Sequence, residues 1–274
     1  MKTILVLNDH STTASHAAIF ALNLAQKIGA NIIVTSFPST DLGHHQDMKL
    51  SETGSLVLHR SELMKNLFAH KKRYADFRPV IQEIELANFT GDELFQLTND
   101  RNIYLVIRGM DEFLPSALIN INLCITTLLS EIKCPLLVVP SSWNFNEFRD
   151  LVYLTDLRFC GIKTVNYIVD LAREWNSQVV IAHSTVSGLP EIDEEDANDI
   201  FTNEVRNHLN YKNVSMSMLD KGKFPDVIKT VVHNYHADLL VFVNQHFHFN
   251  TFTKQYFKDK CALYKPVPML IFPY

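Results

Sequence analysis

Glycine is scarce in this chain. Only eight of its 274 residues are glycine; none lies between positions 110 and 160, and none follows Gly222. A phosphate cradle built from backbone amides needs glycine for positive φ and for close approach, so this scarcity leaves no dinucleotide fingerprint and no Walker loop. A G-x-S-x-G nucleophile elbow is missing too. Cysteine is equally thin: Cys124, Cys134, Cys160 and Cys261 show no C-x-x-C spacing. In a chain rich enough in apolar residues to build large cores, these read as buried thiols in a reducing compartment. No apolar run approaches the ~20 residues of a membrane span, and the first one, residues 4–7, is stopped at once by Asn8-Asp9. A cytoplasmic location with no membrane partner is therefore expected. An excess of basic charge is also lacking: 25 Lys and Arg stand against 30 Asp and Glu, a net charge of -5, which argues against a nucleic-acid partner.

What is present is a repeat. Residues 4–7 (ILVL) run into Asn8-Asp9, and residues 151–154 (LVYL) run into Thr155-Asp156. A shift of 147 residues carries Asp9 onto Asp156, Ala25 onto Ala172, and Ile32-Ile33-Val34 onto Val179-Val180-Ile181. The offset falls to 135 at Leu105 and Leu240, then to 133 at Pro135 and Pro268. Each copy is domain-sized, as the length suggests: residues 1–140, a polar linker 141–150 carrying Trp143, Phe145 and Phe148, and residues 151–274.

Within each copy, short buried strands alternate with helices. In the first, strands are expected at 4–7, 32–34, 80–86, 103–107 and 135–139. Helices follow Ser11-Thr12-Thr13, span about 56–74, and lie at 91–98 and 118–132. In the second, strands are expected at 151–155, 178–183, 213–219, 239–243 and 268–272. Helices are expected at 161–175, 196–209, 225–233 and 252–263. This alternation implies right-handed βαβ crossovers and a parallel sheet covered on both faces. The expected fold is α/β: two repeated, open, doubly wound five-stranded parallel sheets. Ligands of such sheets sit beyond the carboxyl ends of the strands, at the switch point. That rule gathers Asp9, Ser11, Ser36 and Gly109 around one crevice and Asp156, His183 and Asn244 around the other.

Three features, each found twice, carry a family resemblance. They are ILVLNDHS with VYLTDLRF, VTSF with IAHS, and YLVIRG…KCPLLVVP with LLVFVN…PVPMLIFP. In order and spacing the chain resembles the universal stress protein family in its tandem two-domain form. The resemblance implies an adenine nucleotide alpha hydrolase-like fold, with the copies packed as a pseudo-dimer through their last strands. It also implies, for nucleotide-binding members, a loop reading G-x-x-G, nine residues, G-[S/T] after the fourth strand, and a strand-one Asp that contacts the nucleoside. Here Gly109 occupies the first position, but Glu112, Asn122 and Leu123 occupy the others; the second copy has Asn244, then Gln255-Tyr256. Carboxylates at 111 and 112 would oppose phosphate. The phosphate-binding device is missing from both copies.

Simpler structural roles compete at each residue. Asp9 and Asp156 can cap a helix or shape a turn by Asx bonding. His183 reads as a hydrogen-bonded strand-end histidine. His246 and His248 supply only two of the three or four ligands that zinc takes, so no metal is expected. The acidic run Glu191, Asp193, Glu194, Glu195 and Asp196 reads as a solvated loop or helix start. The aromatic series Phe242, Phe247, Phe249, Phe252, Tyr256 and Phe257 could fill the second crevice in place of a ligand. The sequence thus points to a non-catalytic stress-response protein without a cofactor, acting on an unnamed protein partner and leaving room for a homodimer. The alternative is a sensor that binds ATP, AMP or another small anion at Asp9 and Gly109.

Overall fold

A computed structural model describes residues 1–36, 62–70, 76–86, 91–110, 125–144, 147–185, 189–219, 224–244 and 267–273. The chain begins with β1 (Lys2–Asn8), whose residues 4–8 are buried, and enters α1 (Thr12–Ile28). Ser11 caps that helix by accepting the Ala14 N–H at 3.1 Å. Gly29, at φ +66°, closes it by donating to the Ala25 carbonyl, a left-handed conformation that glycine adopts without a Cβ penalty. Ala17, Ala18, Ala21 and Ala25 are fully buried, so α1 lies close against the sheet.

The first half continues through β2 (Ala30–Ser36), α2 (Glu62–His70), β3 (Ile81–Glu85), α3 (Gly91–Asp100), β4 (Leu105–Met110), α4 (Ile125–Glu131) and β5 (Leu136–Pro140). The second half begins with β6 (Asp150–Thr155) and a 3-10 turn (Leu157–Phe159), then α5 (Ile162–Ala172), β7 (Gln178–His183) and α6 (Glu194–Ile200). It continues through β8 (Val214–Met218), α7 (Phe224–Asn234), β9 (Leu239–Val243) and β10 (Met269–Phe272).

The strands form one ten-stranded sheet in the order β3-β2-β1-β4-β5-β10-β9-β6-β7-β8. Neighbours run parallel except at the centre, where β5 and β10 pair antiparallel, Leu137 opposite Leu270. The two five-stranded sheets expected from the repeat are therefore joined edge to edge through their last strands. Their switch points lie between β1 and β4 and between β6 and β9.

Several boundaries differ from the sequence expectation for local reasons. The fourth strand starts at Leu105 rather than Ile103 and continues through Gly109, which pairs with Val139, to Met110. α5 stops at Ala172, and the chain turns through Asn176 at φ +54°. The helix expected over 196–209 starts earlier, at Asp193, which caps it by accepting the Asp196 N–H at 2.8 Å. It then widens to a π turn over Phe201–Val205 and tightens to a 3-10 turn over Arg206–His208. The helix expected over 252–263, and parts of those expected over 56–74 and 118–132, lie outside the described residues.

Aromatic side chains tie the halves together beside the central strand pair. Tyr104 and Tyr167 stack with centroids 4.6 Å apart, and Tyr167 meets Phe272 edge-on at 5.2 Å. The Tyr167 hydroxyl donates to the Tyr104 carbonyl at 3.1 Å. From the linker, Phe148 is fully buried between Phe20 of α1 and Trp175, and Trp143 is also buried. Phe145 lies outside the described residues.

Candidate functional site

Each half presents a crevice where the strand order reverses, and the two are built differently. In the first, Asn8 ends β1 with its side chain 1% exposed. Its Oδ1 accepts the His10 N–H at 3.0 Å, while its Nδ2 has no hydrogen-bond partner among the described residues. Asp9 is exposed and accepts both the N–H of Ser11, at 3.1 Å, and the Ser11 hydroxyl. His10 between them sits at φ +62°. This is an Asx turn that delivers the chain into α1. Ser36, at the end of β2, is buried and donates to Glu83 at 3.0 Å.

Gly109 is not at the mouth of a loop. A Cβ built on it would stand 2.2 Å from the Thr13 carbonyl oxygen and 2.5 Å from the carbonyl carbon. The absent side chain is what lets the first turn of α1 lie on β4, so the glycine serves helix-on-sheet packing here.

In the second crevice Asp156 is buried, and its carboxylate is committed to Arg158. The Arg158 backbone N–H and Nε reach Oδ1 at 3.1 and 2.8 Å, and Nη2 reaches Oδ2 at 2.5 Å. Arg158 Nη1 also donates to the Pro190 carbonyl at 3.0 Å, fastening the 3-10 turn to the segment before α6. The carboxylate side chain has no solvent exposure, whereas that of the arginine is 25% exposed. Such a paired acid is held charged, and breaking the pair would strand the charge.

His183, at the end of β7, accepts the Leu157 N–H on Nδ1 at 3.2 Å. That bond needs a lone pair on Nδ1, so the proton of the neutral ring sits on Nε2, which faces the Thr185 hydroxyl at 3.4 Å. Burial pushes its pKa below the usual histidine value, against the opposing pull of Asp156. Asn244 joins this end by its backbone, donating to the Phe272 carbonyl at 2.8 Å.

The structure thus brings Asp156 and His183 together around the 3-10 turn, and Asp9 with Ser11 at the start of α1. Ser36 is engaged with the edge strand and Gly109 with α1. Sequence reasoning missed Arg158 and Asn8. Arg158 was visible only as a charge two residues after Asp156, and Asn8 only as the residue before Asp9. Burial thiol chemistry is quiet: Cys134 and Cys160 are free, and burial pushes both thiols up to about 12. His246, His248, Glu112, Asn122, Leu123, Gln255 and Tyr256 lie outside the described residues, as do all the listed aromatics except Phe242. Among the described residues no three His, Cys, Asp or Glu side chains are grouped to hold a metal, and no helix is long and apolar enough to cross a membrane.

No protein-family model matches the chain, and no curated protein matches it. Solved structures do. A universal stress protein from Archaeoglobus fulgidus superimposes with a TM-score of 0.62 over 98% of this chain and 97% of that one, at 13% identity. A universal stress protein candidate from Pseudomonas aeruginosa gives 0.56 over 99% and 93%, also at 13% identity. The chain has the universal stress protein fold. At this identity the likeness speaks for architecture: a tandem α/β chain aligned end to end, as the repeated motifs implied.

Within a universal stress protein fold the two halves of this chain offer different chemistry. The first crevice keeps a solvent-facing carboxylate beside a buried amide. The second holds its acid inside an internal ion pair.

Proposed function

We propose that this chain is a stress-response protein of the universal stress type that works in the cytoplasm without a reaction of its own. It acts through contacts with another protein and not through a bound nucleotide. The observation that carries this reading is the Asp156–Arg158 pair. The acid that the fold presents to a ligand is spent inside the chain, on three hydrogen bonds from one arginine. Gly109 supports it from the other half, since its open side is filled by the Thr13 carbonyl and leaves no room for a phosphate there.

A second reading, a small-ligand sensor at Asp9 with Gly109 beneath it, is favoured by the buried Asn8 amide that has no partner among the described residues. A thermal-shift titration with Mg-ATP, AMP and inorganic phosphate decides between them. The first reading expects no movement of the melting temperature. A ligand at about 100 times its dissociation constant adds about 2.7 kcal/mol, which raises the midpoint by several degrees. A shift of that size, lost in Asp9→Ala, would reject the first reading and establish the second.

A further inference from the structure

Five large apolar side chains stand exposed among the described residues, and three have a local account. Met1 opens the chain, Val80 gives its N–H to Asn31 at the start of β3, and Phe95 lies beneath the Lys133 ammonium at 4.7 Å. The other two, Phe159 at 47% and Leu189 at 39% exposed, share one rim of the second half. The Arg158–Pro190 hydrogen bond brings them together, because Phe159 follows one of its residues and Leu189 precedes the other.

The turn that bears Phe159 packs against α6. The first turn of that helix is Glu194, Glu195 and Asp196, all exposed. Arg158 is the cation on this rim, and Asp156 already matches its charge. The surface is therefore an apolar pair bordered by carboxylates whose charge the rim itself does not balance.

We infer that this rim docks a positively charged protein segment that seats a large apolar side chain on Phe159 and Leu189. The inference rests on the protein-contact reading above and names the partner's chemistry. An apolar anchor at the centre supplies most of the binding energy, and the bordering charges select the partner and speed encounter. Nucleic acid and anionic lipid are disfavoured occupants, since both would meet the carboxylates with like charge.

Selection of random dodecapeptides displayed on phage against the intact chain tests this. The expected winners are cationic and carry at least one large apolar residue. A synthetic winner, followed by fluorescence anisotropy, should bind about tenfold more weakly to Phe159→Ser/Leu189→Ser, and similarly to Glu194→Lys/Glu195→Lys. Its affinity should fall as salt rises from about 50 to about 300 mM. The substituted residues are exposed, and an unchanged circular dichroism spectrum confirms that the variants fold. Neutral or acidic winners overturn the inference, as does equal binding to both variants. Self-association abolished by the same substitutions also overturns it, by naming a second copy as the occupant. A nucleotide-induced thermal shift with peptide binding intact would reject the proposed function and leave this docking face standing.

Discussion

Arg158 and His183 decide what the second crevice is, and both act on the backbone of the same short turn. Arg158 folds back on Asp156 and reaches Pro190, while His183 accepts the N–H of Leu157. Protonating His183 would remove the lone pair that holds Leu157, so charge on this ring and the native turn are incompatible. Its folded pKa lies below the usual 6.5, so below that pH the unfolded chain binds the proton more readily than the native one. Stability from this group is complete above about pH 6.5 and declines as the pH falls toward the lowered native value. The urea midpoint should fall between pH 7.5 and 5.5, and His183→Asn, which keeps an acceptor near Nδ1 without the charge, should fall less. An equal fall in both would assign the acid sensitivity elsewhere. None of this was legible in the sequence. The strand-end position of His183 was readable, but its partner is the N–H of a residue 26 positions earlier, brought there only by the parallel pairing of β6 and β7.

At the scale of elements, the contact of α1 with β4 is set by one missing side chain. Read from the sequence, Gly109 was the opening of a degraded phosphate loop. In the fold it lies inside β4 under the Thr13 carbonyl. Gly109→Ala should cost about 1–3 kcal/mol, the usual range for overpacking, because the atom it strikes is backbone and cannot swing away. Chemical denaturation with an unchanged m-value checks this, and a loss under about 0.5 kcal/mol would show that α1 slides freely on the sheet. The strands themselves were legible. Residues 4–7, 178–183 and 239–243 are apolar runs of the length that a doubly covered strand requires, and 178–183 and 239–243 form strands with those bounds. Helix ends were less so. The segment after Ile200 departs from α geometry in a π turn and then a 3-10 turn, although its sequence carries an unbroken helical pattern.

For the whole molecule, the central antiparallel pair of β5 and β10 makes two repeats into a single sheet with a continuous apolar interior. Buried residues from both halves belong to one packed cluster, bridged by Phe148 and by the Tyr104–Tyr167 stack. Unfolding should therefore be a single cooperative transition, with calorimetric and van't Hoff enthalpies in agreement. Two resolved transitions would show that each half holds its structure alone. The expectation that the copies meet through their last strands came from the family resemblance; that they meet as a paired edge, Leu137 opposite Leu270, comes from the structure.

Alternation of apolar runs with small-residue helices, repeated at a nearly constant offset, determined the α/β class, the two-fold repetition and the two crevices. Those properties depend on neighbours along the chain, and spacing records them. Tertiary structure alone decided that Asp156 is consumed by Arg158, that Gly109 packs a helix, and that Phe159 and Leu189 share a rim. Each of these depends on which distant backbone atom comes to lie beside a given side chain. Spacing along the chain does not encode that distance; the crossovers of the sheet do.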